Sequence, residues 1–105
     1  MPVNDPVLQE IVRRIVDVAA PERILLFGSR AKGEAKPDSD YDLLVVRSGV
    51  PHRRRLAQAI YRNMRGIMHG VDVIVETPEH LAETAGMPGL IYAEALREGT
   101  VVYEQ

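Results

Sequence analysis

The feature that most constrains the fold is a pair of short apolar runs separated by a polar segment rich in turn-forming residues. The first run covers residues 24–27 and stops at Gly28, and the second covers residues 43–46 and follows Asp42. Apolar runs of this length, bounded by Gly, Pro, Asp and Ser, are typical of buried strands. The sequence therefore predicts two buried strands, with a functional site in the polar segment between them.

Two aspartates stand at the start of the second run. Because side chains alternate between the two faces of a strand, Asp40 and Asp42 should point to one side and Tyr41 to the other. Two carboxylates held side by side repel each other, and a bound divalent cation such as Mg²⁺ removes that repulsion. The pattern thus favours a cation site. The alternative is that one aspartate caps a turn while the other is solvated at the strand start.

The turn after the first run offers groups that suit a phosphate. Gly28 lets the backbone turn tightly and lets a ligand approach closely. We predict a short helix at residues 29–32, whose first N–H groups and the Ser29 hydroxyl would face the same space. The alternative is a plain strand-to-helix turn with Ser29 as the N-cap. A P-loop is excluded because Glu34 stands where that motif needs its lysine.

These residues together carry a family resemblance. Gly28-Ser29, ten further residues and then Asp40-x-Asp42 form a pattern that resembles the signature of the minimal nucleotidyltransferases of the DNA polymerase beta superfamily. That family carries a third carboxylate on a later strand, and Asp72, inside the apolar run 71–75, offers it here. A lone aspartate in a buried strand is costly unless it is paired or bound to a metal. The alternative is a strand-start residue wetted by solvent.

The resemblance implies a set of site residues and cofactors. Three aspartates would be the catalytic residues and the ligands of two Mg²⁺ ions, with ATP as the substrate: Asp40, Asp42 and Asp72. Four residues of the turn and the loop would bind the nucleotide: Gly28, Ser29, Arg30 and Ser39. An acceptor hydroxyl would attack the α-phosphate, and pyrophosphate would leave. Asp72 would act as metal ligand, general base or both.

The remaining patterns predict a fold of the α/β (α+β) class, with a small mixed sheet, helices on one face and the site at one edge. A single domain is expected to comprise residues 1–105. Asp5 and Pro6 should begin the first helix, Gly70 should close the second, and Thr77 should cap the third. Helices are predicted at 6–20, 52–68, 77–85 and 90–97, and further strands at 71–75 and 101–103.

Composition and charge exclude several kinds of site and indicate the cellular compartment. It has 105 residues, no cysteine and a net charge of −2, so disulfides and thiolate metal sites are excluded. No apolar run is long enough to span a membrane and no signal peptide is evident, so we expect a cytoplasmic protein. Removing the three negative charges of the site aspartates from −2 leaves +1. That balance gives no support for direct nucleic-acid binding.

One helix carries a run of positive charge. Five arginines crowd the helix predicted at 52–68: Arg53, Arg54, Arg55, Arg62 and Arg65. A solvated face, a docking surface for an acidic partner and a contact for RNA are all compatible with this run.

The acceptor is the remaining question. Within the superfamily the chain most resembles the MntA-like antitoxins of HEPN–MNT toxin–antitoxin pairs. That resemblance implies transfer of AMP from ATP to a tyrosine of a HEPN ribonuclease toxin. A chain of this length leaves no room for an acceptor-binding domain, so we expect a second molecule or a homo- or hetero-oligomer to hold the acceptor. Two alternatives stay open, namely an antitoxin that acts by binding alone and a nucleotidyltransferase for an aminoglycoside-like small molecule.

Overall fold

The computed structural model describes residues 5–33, 36, 38–84 and 97–105. They form three helices and four strands. In chain order these are α1 (Pro6–Ala19), β1 (Arg23–Phe27), β2 (Tyr41–Val46), α2 (Arg53–Arg62), β3 (Val71–Glu76), α3 (Pro78–Thr84) and β4 (Thr100–Glu104). None of these helices is long and apolar enough to cross a membrane.

The four strands form one mixed sheet in the order β3-β2-β1-β4. β1 is antiparallel to both of its neighbours, whereas β2 and β3 run parallel. A parallel pair needs a crossover connection, and α2 lies in the segment that provides it. The starts of β2 and β3 therefore meet at the same edge of the sheet, with Tyr41 opposite Val71. The predicted small mixed sheet is confirmed.

Both faces of the sheet are covered by helices, so the expectation of helices on one face was wrong. One apolar cluster joins α1 and α2 to strand residues such as Ile24 and Leu43. A second cluster joins Leu81 of α3 to Leu25 and Leu44 on the opposite face. Because both faces of the central strands are buried, these strands carry continuous apolar runs, at residues 24–27 and 43–46, instead of alternating.

The first helix begins as the sequence predicts. The Asp5 side chain accepts hydrogen bonds from the N–H groups of Val7 (3.0 Å) and Leu8 (3.1 Å), so Asp5 is the N-cap. Pro6 follows at the first helical position. The helix ends at Ala20, which adopts a left-handed conformation with φ of 43°. Asp5 thereby fixes the start of α1, and its other carboxylate oxygen accepts a hydrogen bond from the Tyr41 hydroxyl.

The second helix is shorter than predicted, since α2 ends at Arg62 and not near residue 68. The backbone after α2 is hydrogen-bonded to α1 and does not continue the helix. The Asn63 amide donates to the Arg14 carbonyl (3.0 Å), and the Arg14 guanidinium donates to the carbonyls of Asn63 and Arg65. Gly66 then adopts a φ of 89°, which is outside the helical region. Tertiary hydrogen bonds therefore override the apolar periodicity of residues 63–68.

Four further predictions have different outcomes. The helix predicted at 29–32 was wrong, because these residues form a single turn in which the N–H groups of Ala31 and Lys32 donate to the Gly28 carbonyl (3.2 and 3.3 Å). The Thr77 cap is confirmed by a 3.1 Å hydrogen bond from the His80 N–H to its hydroxyl. The last strand is confirmed as β4. The predicted helix at 90–97 lies almost entirely outside the described residues.

Candidate active site

The three aspartates lie at the edge of the sheet where β2 and β3 begin. Asp42 and Asp72 are directly opposite each other in the register of this parallel pair. Adjacent strands are about 4.8 Å apart, so side chains opposite each other on the same face are in contact range. Asp40 precedes the first residue of β2. Residues that are far apart in the sequence thus come together through strand pairing.

Two glycines make room for the carboxylates. A Cβ atom on Gly28 would lie 2.3 Å from Oδ2 of Asp42, and Gly28 also has a φ of 75°. A Cβ atom on Gly70 would lie 2.1 Å from Oδ1 of Asp40. Real Cβ atoms do not approach that closely, so any side chain at either position would displace a carboxylate.

The role of Gly70 differs from the one that the sequence suggested. We expected it to close the second helix, which in fact ends earlier, and Gly70 leads directly into β3. Its carbonyl accepts a 2.9 Å hydrogen bond from the Tyr41 N–H. A glycine directly before a strand that begins Val-Asp was the available signal for a close approach of another chain segment.

The electrostatics of the site reflect the burial of Asp42 and its acidic neighbours. Burial raises the pKa of Asp42, and the charge of Asp72, a hydrogen bond with Asp72 and the charge of Asp40 raise it further. A like charge at short range disfavours the ionised form of Asp42. The arrangement therefore keeps a negative potential that a cation would relieve.

The residues present suit a divalent cation. The facing carboxylates of Asp42 and Asp72 supply the oxygen ligands that Mg²⁺ prefers, and the glycine-lined space leaves access to them. Among the described residues, no three acidic or histidine side chains are close enough together to enclose one ion. The Asp40 carboxylate instead faces Gly70.

The residues predicted to bind the nucleotide fall into two pairs. Gly28 and Ser29 follow β1 directly, and Gly28 lies beside Asp42. Arg30 instead donates from Nε and Nη2 to the Ser39 carbonyl (3.0 and 2.8 Å). The Ser39 hydroxyl accepts a 2.9 Å hydrogen bond from the Lys36 N–H. Arg30 and Ser39 thus stabilise the loop that leads to the aspartates, and their nucleotide contacts stay a prediction.

The arginine-rich helix lies towards the other end of β3. The guanidinium of Arg53 is hydrogen-bonded to the buried carboxylate of Glu76, which also contacts Nδ1 of His80 at 2.7 Å. Arg54 and Arg55 are exposed, and an open groove of about 780 Å³ runs beside them. The structure therefore gives Arg53 a structural contact and leaves the role of the other arginines open.

Comparison with known proteins identifies the family. Residues 7–99 match the family described as the nucleotidyltransferase domain, so the chain belongs to that family. No curated protein sequence matches the chain.

Two solved structures share the fold. One is a candidate nucleotidyltransferase from Sulfolobus solfataricus, with a TM-score of 0.63 and 23% identity over 94% of this chain and 78% of the other. The second is a chain from a crystal structure of a toxin–antitoxin with AMP-PNP, with a TM-score of 0.59 and 18% identity over 98% of this chain and 75% of the other. At these identities the similarity concerns the fold, and it agrees with the predicted nucleotidyltransferase architecture.

Proposed function

We propose that this chain is a nucleotidyltransferase antitoxin that transfers AMP from ATP to a tyrosine of a cognate HEPN ribonuclease toxin. The observation that carries the proposal is the pairing of Asp42 with Asp72 across β2 and β3, beside Gly28. Family membership supports the reaction class. The fold shared with a chain of a toxin–antitoxin structure that contains AMP-PNP supports the partner and the nucleotide.

In this proposal the three aspartates hold the metal. Asp42 and Asp72 provide facing carboxylates, and Asp40 adds the third after its side chain turns from Gly70. When bound, Mg²⁺ ions neutralise triphosphate charge and lower the pKa of an attacking hydroxyl. A site built from carboxylates alone cannot hold a polyphosphate without such cations, because the charges would repel.

The protein groups around the metal position the reactants. Gly28 leaves space beside Asp42, and the Ser29 hydroxyl donates to a phosphate oxygen of ATP. Asp72, exposed at the edge of the sheet, accepts the proton of the tyrosine hydroxyl. The tyrosine oxygen then forms a bond to the α-phosphorus while the bond to pyrophosphate breaks. The toxin gains AMP on its tyrosine.

The direct test is the intact mass of a HEPN toxin co-expressed with this chain. We expect the toxin to gain the mass of one or more AMP units with the wild type and none with the double variant Asp40→Ala/Asp42→Ala. Variant Asp17→Ala, which changes an exposed aspartate near the end of α1, is the matched control and should leave the modification in place.

Other results would select one of the alternatives. An unmodified toxin that co-purifies with the wild type and is inactive would indicate an antitoxin that works by binding alone. AMP transfer from ATP to an aminoglycoside without any protein partner would indicate a small-molecule nucleotidyltransferase. Either result would overturn the proposal for the toxin tyrosine.

A further inference from the structure

Tyr41 separates two of the site aspartates but faces the opposite side of the sheet. Its side chain is only 2% exposed and belongs to the apolar cluster beneath α1 and α2. Asp40 and Asp42, its neighbours in the chain, point towards the edge where Gly70 and Gly28 make room for them. Whatever fixes the tyrosine therefore also fixes the backbone from which both carboxylates project.

The tyrosine is held from three directions. Its hydroxyl donates a 2.8 Å hydrogen bond to Oδ2 of Asp5, the N-cap of α1. The guanidinium carbon of Arg30 lies 3.9 Å from the centre of the ring, which is a cation–π contact. The His69 ring meets it edge-on at 5.8 Å between centroids. This degree of fixation exceeds what packing of an apolar side chain alone would supply.

Arg30 also fixes the backbone on the other side of Asp40. Nε and Nη2 of Arg30 both donate to the Ser39 carbonyl, at 3.0 and 2.8 Å. The same guanidinium lies 3.9 Å from Oδ2 of Asp5. One side chain thus contacts the residue before Asp40 through its carbonyl and the residue after it through its ring.

We propose that Arg30 is a positioning residue, which acts through Ser39 and Tyr41 to hold the backbone from which Asp40 and Asp42 reach a divalent cation. Residues that orient metal ligands without touching the metal commonly change metal affinity by about 10- to 100-fold when replaced. The proposal rests on the metal-binding role given above to these aspartates.

The environment of Arg30 favours positioning over direct contact with phosphate. Its side chain is only 14% exposed, and its guanidinium already contacts Ser39, Tyr41 and Asp5. To reach a triphosphate it would have to give up hydrogen bonds to a carbonyl and proximity to a carboxylate. A planar guanidinium can donate two parallel hydrogen bonds and stack on a ring at once, which a lysine cannot do.

The test is a double-mutant cycle in which the measured quantity is the affinity for Mn²⁺. The affinity is obtained from the electron paramagnetic resonance signal of the free ion. The variants are Arg30→Met, Tyr41→Leu and their combination. We expect each single variant to weaken Mn²⁺ binding about tenfold. Because both act on the same backbone segment, the combination should weaken binding far less than the product of the two effects. Arg54→Met, which changes an exposed arginine of α2, should leave Mn²⁺ affinity unchanged.

Two milder variants guard against loss of the fold. Tyr41→Phe keeps the ring under Arg30 and removes only the hydrogen bond to Asp5. Arg30→Lys keeps the positive charge but cannot make the paired hydrogen bonds to Ser39. We expect Arg30→Lys to weaken Mn²⁺ binding nearly as much as Arg30→Met, and Tyr41→Phe to weaken it less.

The outcomes separate this inference from the function on which it rests. If wild type shows no Mn²⁺ site that disappears in Asp40→Ala/Asp42→Ala, the metal-binding role itself fails. If that site exists but Arg30→Met binds Mn²⁺ normally and loses only affinity for AMP-PNP, Arg30 contacts phosphate and the positioning role is overturned. Strictly multiplicative effects of Arg30→Met and Tyr41→Leu would also overturn it.

Discussion

Acidic residues at the two ends of the β2–β3 pair have opposite electrostatic surroundings. At the start of the strands, Asp42 faces Asp72, and burial together with the neighbouring charges raises the pKa of Asp42. At the end of β3, the buried carboxylate of Glu76 contacts Arg53 and His80. A paired acid stabilises a fold, whereas acids placed against each other destabilise it unless something else binds there. This contrast is the reason for proposing that the first end is functional and the second structural.

The largest expected effect comes from neutralising Asp42, at the start of β2. Asp42→Asn should lower AMP transfer about 10²- to 10³-fold, because it removes a metal ligand and fixed charge at the reacting phosphate. In buffer with a chelator, its melting temperature should equal or exceed that of the wild type, because repulsion from Asp72 is relieved. Activity assays and thermal unfolding check the two halves. A clearly lower melting temperature would show that Asp42 is structural, and the comparison would fail.

Two glycine variants test the space beside the carboxylate. Gly28→Ala should lower stability by about 1–3 kcal/mol, because alanine is strained at a φ of 75°. It should lower activity by about 100-fold, because the new Cβ, 2.3 Å from Oδ2, would displace the Asp42 carboxylate. Gly33→Ala is the matched control: Gly33 has a φ of 74°, but a Cβ there would meet no atom of the described residues beyond its chain neighbours within 4 Å. It should show a backbone penalty of about 1 kcal/mol and nearly full activity. Equal losses of activity would contradict the steric account.

A change of Glu76, at the end of β3, should lower the stability of the protein and leave its activity nearly unchanged. Glu76→Gln removes charge-assisted hydrogen bonds to Arg53 and His80, and should lower the free energy of unfolding by about 1–2 kcal/mol. That figure is discounted for solvent screening, because the Arg53 side chain is 43% exposed while Glu76 is 5% exposed. AMP transfer should stay within about twofold of the wild type. Denaturant unfolding measures the free energy of unfolding. A large loss of activity would show that Glu76 belongs to the same functional site as Asp42.

The smallest effect concerns acid stability on the tyrosine side of the site. Burial raises the pKa of Asp5, but hydrogen bonds from Tyr41, Leu8 and Val7 and the charge of Arg30 outweigh it, so the pKa is lowered overall. A lowered pKa contributes stability that is present above the ordinary value of 3.8 and is lost as the pH falls through the folded-state pKa. Asp5→Asn, which can still cap the helix, should therefore lose less stability than the wild type below that value.

Melting temperatures between about pH 6 and pH 2 check this prediction. Asp38→Asn, an exposed aspartate of the loop, serves as the control and should follow the wild-type curve. An identical acid response of Asp5→Asn and wild type would mean that the Asp5 hydrogen bonds do not favour its ionised form.

The elements that local sequence determines were predictable. Asp5 and Thr77 cap helices through side chains two or three residues from their partners, and the strand runs are apolar because both sheet faces are buried. The aspartates of the site followed from their spacing together with the family resemblance. The structure places Asp42 opposite Asp72 across two strands, whereas Asp40 faces Gly70.

What escaped prediction depends on contacts between distant parts of the chain. The end of α2 is set by Arg14 and Asn63, which are 49 residues apart. The approach of Asp40 to Gly70 and the contact of Tyr41 with Asp5 likewise join different elements. Apolar periodicity carries no information on such hydrogen bonds. The distribution of helices over both faces was missed for the same reason.

The parallel register of β2 and β3 also sets where this chain can change in length. One residue inserted between Val71 and Asp72 would turn Asp72 to the opposite face, because side chains alternate along a strand. Insertions at the exposed turn around Gly49, which lies in the crossover between these strands, would leave Asp42 and Asp72 opposite each other. Relatives could therefore acquire new recognition loops in the crossover without disturbing the carboxylates.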